Sequence, residues 1–358
     1  EMALWRLFFA AGLCRTAAVR VRPSASPQEP KLPDEGLEST EGLELTGWEE
    51  PEQRGFPPRV KSRQGNGNCM MRAPRFDSHW RSNCPVLRPN NEGQSSWLDL
   101  PPVEGTTKKP PKLALMMTIY DTITHADMWS AWLRSADEAG LNYSLVIHKK
   151  KQEEPLKKGQ ELERFLLNRS ATTEYCRATT VWQLMIGMGL KDQDVTHFAT
   201  ITGDSIPLKP LSQIYAHLSK NPASRMCMDF DFGWRVRAET WWVMRRADAA
   251  LLHKHQTLVA TSFPVVCADE ELWMKPLALR SCRDPDSSPL VNECVMFTDW
   301  TDSCKDWANH AEFSDFRNLH REQHSRADIS HPRTYYSLSR ASLRELEASP
   351  FWFGRKFA

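Results

Sequence analysis

Three acidic residues in a row, Asp269-Glu270-Glu271, follow Cys267-Ala268 and open the apolar stretch Leu272-Trp273-Met274. A carboxylate at such a turn can accept a proton from a hydroxyl, and the helix macrodipole also favours acidic residues at a helix start. Residue types alone leave both readings open. Asp229-Phe230-Asp231, in RMCMDFDFGW, follows a short apolar run; carboxylates so spaced can hold a divalent cation against a diphosphate. Near the end of the chain stand Arg333, in His331-Pro332-Arg333-Thr334-Tyr335, and Arg355-Lys356, before Phe357. These are surface charge or anion contacts, a guanidinium engaging phosphate bidentately and a lysine as a point charge. Trp241 and Trp242, close to Glu239, either fill core or present faces to ring-shaped ligands. No P-loop, GxGxxG, HExxH or GxSxG occurs, which removes the common nucleotide, metalloprotease and α/β-hydrolase chemistries.

The nine cysteines include no C-x-x-C and no pair carrying histidines at ligand spacing, so no zinc site is expected. A few disulfides plus one free thiol fit the count, as do buried reduced cysteines. Two sequons, Asn142-Tyr143-Ser144 and Asn168-Arg169-Ser170, lean towards the secretory route, with Asn168 the better acceptor.

The elements that must position these residues begin near Lys112. KLALMMTIY (112–120) is a continuous apolar run of buried-strand length, and DMWSAWLRSADEA (127–139) follows with helical spacing, closing on Gly140. YSLVI (143–147) and HFATIT (197–202) predict two more strands. Helices are expected around 161–167 and over 179–190 and 211–218. Strands alternating with helices predict an α/β fold with a mostly parallel central sheet. Ligands gather beyond the carboxyl ends of such strands, at the loops after Tyr120, Ile147 and Thr202.

The preceding part is different. Fourteen of the 24 prolines fall in residues 1–111, which predicts an extended stalk before a folded domain of 112–358, with Cys69 to Cys84 as a small knot. ALWRLFFAAGLC (3–14) is apolar but short and interrupted by Arg6, either the remnant of a signal anchor or an amphipathic end. A formal net charge of +1 gives no bulk field for nucleic acid, so no nucleic-acid partner is expected.

Several segments, in order, resemble the core-2/I-branching β-1,6-N-acetylglucosaminyltransferase family, most of all its plant and algal branch. HFATITGDSIPLKPLSQIYAHL is similar to the family's central strand and turn, and LALMMTIYDTITHADMWSAWL to its first strand and helix. LNYSLVIHK, AETWWVMRRADAALL, CADEELWMKPL, LVNECVMFTDW and SPFWFGRKFA resemble later segments, so that the likeness spans 112–358. It implies a GT-A-like nucleotide-sugar-binding domain and an inverting glycosyltransferase, with a UDP-sugar donor, a glycan acceptor and no metal cofactor. N-acetylglucosamine is the first donor sugar to expect. It further implies a luminal Golgi domain on an N-terminal membrane anchor.

By the same resemblance Glu270 is the catalytic base, Asp269 an orienting or capping residue, and Glu271 a solvated helix residue. Arg333 and Lys356 contact the donor diphosphate in place of a metal, with Arg355 able to share the role. Trp241 and Trp242 border the acceptor site. The chain departs from the animal members after His148, where Lys149 and Lys150 stand and an aspartate is common, which puts the usual nucleoside contact in doubt. Two alternatives are a metal-dependent transferase using Asp229 and Asp231, and a carbohydrate-binding relative without catalysis.

Overall fold

The strand-forming runs assemble into a six-stranded sheet of order β2-β1-β3-β6-β5-β7 in the computed structural model, which describes residues 96–101, 109–174, 176–231, 235–262, 267–300, 316–326 and 331–358. β1 (Leu113–Ile119) is the continuous apolar run, buried on both faces and flanked in parallel by β2 (Tyr143–Lys149) and β3 (His197–Thr202). Their register sets Thr118 beside both His148 and Thr202, so the three carboxyl ends lie level. The long β6 (Arg235–Arg245) runs antiparallel between β3 and β5 (Ser224–Asp231), and β7 (Leu290–Asn292) pairs parallel with β5. The architecture is thus mixed α/β with a mostly parallel central sheet.

Helices cover both faces. α1 (Ala126–Glu138) turns Trp129, Trp132 and Leu133 to the sheet, and the two indole N–H groups donate to the carbonyls of Ser205 (2.9 Å) and Lys209 (2.7 Å). α2 (Thr179–Leu190) buries Val181, Trp182, Met185 and Ile186 in the core on the other face. The segment expected to be helical near 161–167 is a 3-10 turn, Gln160–Phe165. After β4 (Ile206–Pro207) come α3 (Leu211–Lys220), then α4 (Arg246–Lys254) and α5 (Gln256–Ser262) beyond β6, then α6 (Ala268–Glu271) and α7 (Met274–Arg283). The run LVNECVMFTDW splits, contributing β7 to the large sheet and β8 (Met296–Phe297) to a small one. α8 (Arg340–Ala348) precedes β9 (Phe353–Gly354), which lies between β4 and β8 and carries the last residues to the turn after β3. Gly203 lets that turn close, because a Cβ there would meet the Thr122 carbonyl oxygen at 2.5 Å.

Packing begins upstream of the expected boundary at Lys112. Trp97 is fully buried in the core, its indole N–H donates to the Pro276 carbonyl (2.9 Å), and Arg280 donates to the carbonyls of Trp97 and Leu100. Residues 96–101 therefore belong to the domain and not to a stalk. The rest of the expected stalk before Lys109, the Cys69–Cys84 knot and the apolar 3–14 segment lie outside the described residues. Among the described residues no helix is long and apolar enough to cross a membrane. All five described cysteines are disulfide-bonded, with Cys176 joined to Cys267 and Cys227 to Cys294.

Candidate functional site

The level carboxyl ends of β1 and β2 frame a pocket of about 340 Å³ whose lining includes Thr118, Tyr120, His148, Lys150, Glu174 and Ala178. His148 is fully buried and accepts the Ala171 N–H at Nε2 (3.1 Å), so its neutral ring carries the proton on Nδ1. Burial lowers its pKa, which keeps it neutral. Nδ1 is buried and has no hydrogen-bond partner. Tyr120 stands at the mouth, 55% exposed, with the Lys151 and Lys150 ammoniums 4.9 and 5.8 Å from its ring. Lys150, where the resemblance leads one to expect an aspartate, thus contributes a cation to the pocket.

The opposite wall is tied to the acidic turn. Cys267, extended just before α6, is bonded to Cys176 in the pocket-side loop, and the Asp269 N–H donates to the Cys176 carbonyl (3.3 Å). The Asp269 carboxylate accepts the N–H of Ala178, the residue immediately before α2. Burial, partly offset by this bond, pushes the Asp269 pKa up to about 6. Asp269 therefore caps α2 across the site, a role its sequence position does not reveal. Glu271, expected to be solvated, is buried and paired with Lys275 at 2.5 Å. Its neighbours Leu272 and Trp273 are core, which draws the end of the turn inward. Glu270 is the partly exposed member of the trio after Asp269, on a turn that packs against β6.

The two basic candidates are brought together. Residues 333–335 run beside the chain end, where the Tyr335 N–H donates to the Lys356 carbonyl and the Ala358 N–H to the Tyr335 carbonyl, both at 2.9 Å. Arg333 is held by fully buried Asp299, through its own N–H to the Asp299 carbonyl (2.7 Å) and Nη1 to the carboxylate (3.7 Å). The Tyr335 hydroxyl also donates to that carboxylate, and burial with the adjacent negative charge raises the Tyr335 pKa. Lys356 makes no ion pair with any described residue. Arg355 does: Nη2 lies 2.9 Å from Asp204, and the guanidinium sits 4.4 Å over the Trp241 ring. Burial opposes the charged form of Asp204, but Arg355, Thr202 and Lys356 outweigh it and hold its pKa below the ordinary value.

Neither tryptophan offers an open face. Trp242 is 2% exposed and packs with Trp182 and Trp273, ring centroids 5.5 Å apart in each case. Trp241 is 7% exposed beneath Arg355. Trp242, expected at an acceptor border, lies in the core, and Trp241 lies under the Arg355 guanidinium. Alternate residues of β6 serve opposite faces of the sheet, so two adjacent tryptophans cannot both point to one ligand. Glu239, on the same strand, is buried and accepts from Thr298 (2.9 Å) and the Trp300 indole (3.1 Å), which flank Asp299.

Asp229 and Asp231 end β5, with Arg237 and Arg235 as their cross-strand partners. Among the described residues no group of three or more His, Cys, Asp or Glu is arranged to hold a metal ion. Asn142 and Asn168 are both exposed. Reading the sequence misses Asp299 and Tyr335 as the holders of Arg333, although a lone aspartate in the otherwise apolar VMFTDW run is the kind of signal that marks such a buried partner. No protein-family model matches the chain, and no curated protein matches it.

Proposed function

We propose that the protein is an inverting glycosyltransferase with a GT-A-like domain, moving a sugar, first of all N-acetylglucosamine, from a UDP-sugar to a glycan hydroxyl. The observation that carries this reading is that the segments bearing Arg333 and Lys356 run side by side, with the Phe357 N–H on the Asp204 carbonyl in the turn after β3, where an α/β sheet collects its ligands. The ordered resemblance across 112–358 and the pocket at the ends of β1 and β2 support it. In this reading the nucleoside occupies the pocket at the ends of β1 and β2, and its diphosphate extends towards Arg333 and Lys356.

Glu270 takes the proton of the acceptor hydroxyl as its oxygen bonds to the anomeric carbon from the face opposite the leaving group. The bond from that carbon to the diphosphate oxygen breaks, and its electron pair leaves with UDP. Arg333 and Lys356 neutralise the charge that develops there, in the manner of fixed donors aimed at a leaving group. The reading places the domain in the Golgi lumen on an N-terminal membrane anchor. The fully disulfide-bonded set of described cysteines supports an oxidising compartment.

The test is UDP release by the full chain against a panel of UDP-sugars, with and without glycan acceptors. Release from one donor, raised by acceptor, is expected. UDP binding without release marks a carbohydrate-binding relative. Neither binding nor release across the panel defeats the reading.

A further inference from the structure

Arg355 and Lys356 are adjacent cations with opposite commitments. Arg355 gives Nη2 to Asp204 at 2.9 Å, lays its guanidinium over Trp241 and fixes its N–H on the Phe297 carbonyl (2.9 Å). Its Nε is buried without a hydrogen-bond partner. The other Asp204 oxygen accepts from Thr202 Oγ1 at 2.6 Å. Lys356 lies close enough for its charge to act on Asp204, yet it is not within ion-pair distance of it. A further titratable neighbour is His125, which sees Asp204, Asp127 and Lys158 and is bonded to the Phe357 carbonyl (3.2 Å).

We propose that Arg355 is a positioning residue: it occupies Asp204 and so leaves the Lys356 ammonium available to an anionic ligand. This rests on the reading of Lys356 as a diphosphate contact. The physical reason is competition for one carboxylate. A partly buried aspartate takes the nearest cation, and the attraction is strong where water is scarce. With Arg355 in place that demand is met. Without it, Lys356 is the cation left beside Asp204, and an incoming phosphate must first break the pair they form. Arg355 therefore protects the ligand site without touching the ligand.

The test is UDP affinity of the full chain by calorimetry in EDTA. Arg355→Gln should weaken UDP at least tenfold, and adding Asp204→Asn to it should restore affinity to within about threefold of wild type. Wild-type affinity in Arg355→Gln overturns the proposal. So does a double variant as weak as the single, because that result makes the guanidinium itself a ligand. If Arg355→Gln does not fold, a double variant that binds UDP at least tenfold more weakly than wild type overturns the proposal. A second readout needs no ligand: after ¹³C reductive methylation, the Lys356 amine, assigned with Lys356→Arg, should titrate higher in Arg355→Gln and return in the double variant. An unmoved Lys356 overturns the proposal. Failure of the wild-type chain to bind UDP defeats the glycosyltransferase reading instead, while the lysine titration still decides how these charges are arranged.

Discussion

Arg333 and Lys356 are linked through Tyr335, whose N–H meets the Lys356 carbonyl at 2.9 Å while its hydroxyl shares the Asp299 carboxylate with Arg333. The two segments that carry these cations are thereby held side by side. Each should contribute on the scale of a charged hydrogen bond. Arg333→Ala or Lys356→Ala is expected to cost ~1.5–3 kcal/mol in transfer, read from kcat/KM with the best UDP-sugar. Unchanged kcat/KM in both variants would remove them from the site.

The acidic turn makes a separate prediction. Glu270→Gln keeps size and most hydrogen bonding but cannot accept a proton, so transfer should fall by at least ~10²-fold with UDP affinity held. A comparable fall in Glu271→Gln alone would move the base by one residue, against its burial and its bond to Lys275.

Fixed cations and a bridging metal predict different chemistry. Activity should survive excess EDTA, and Asp229→Asn with Asp231→Asn should act chiefly on folding yield. Loss in EDTA that Mn²⁺ restores would transfer the diphosphate to Asp229 and Asp231.

Asp269 gives a prediction that needs no substrate. Its carboxyl titrates near 6 in the folded chain against an ordinary 3.8, so the stability it lends below about pH 4 is lost as pH rises through 6. Asn at this position keeps an acceptor for the Ala178 N–H without the charge. Asp269→Asn should match the wild type in thermal stability near pH 4 and exceed it by about 1–2 kcal/mol at pH 7.5, discounted for partial exposure. Equal melting at both pH values would show that the carboxylate carries no such penalty.

Exposure of Asn168 and Asn142 bears on compartment. Expression in a secretory host should give glycan at Asn168 before Asn142, together with oxidised cysteines. Unglycosylated, reduced chain with full activity in cytosol would contradict a luminal placement.

The parallel strands were legible because β1 and β3 are short apolar runs between turn residues, a pattern that burial on both faces demands, and β2 at the sheet edge keeps the apolar Leu145, Val146 and Ile147. β6 was not. Its first half carries Arg235, Arg237 and Glu239, and its pairing with β5 shifts register between Met226 and Met228, so no clean period survives. The same limit governs the site. Adjacent Arg355 and Lys356 look alike in sequence, and only Asp204, distant along the chain, separates their roles. Asp269 likewise reads as the start of its own helix until the fold sets Ala178 against it.

Trp97 changes what counts as the smallest independent piece of this chain. Its side chain plugs the core from outside the strand-and-helix succession, and Arg280 closes over its carbonyl. A fragment trimmed to begin at Lys112 loses the plug, leaving a tryptophan-sized void and a guanidinium without its carbonyls, a loss on the order of 3–5 kcal/mol from the void alone. Trimming back only as far as Ser96 spares it. A protease that cuts before Ser96 should therefore release a durable domain, whereas removal of residues 96–101 should yield one that melts early or aggregates.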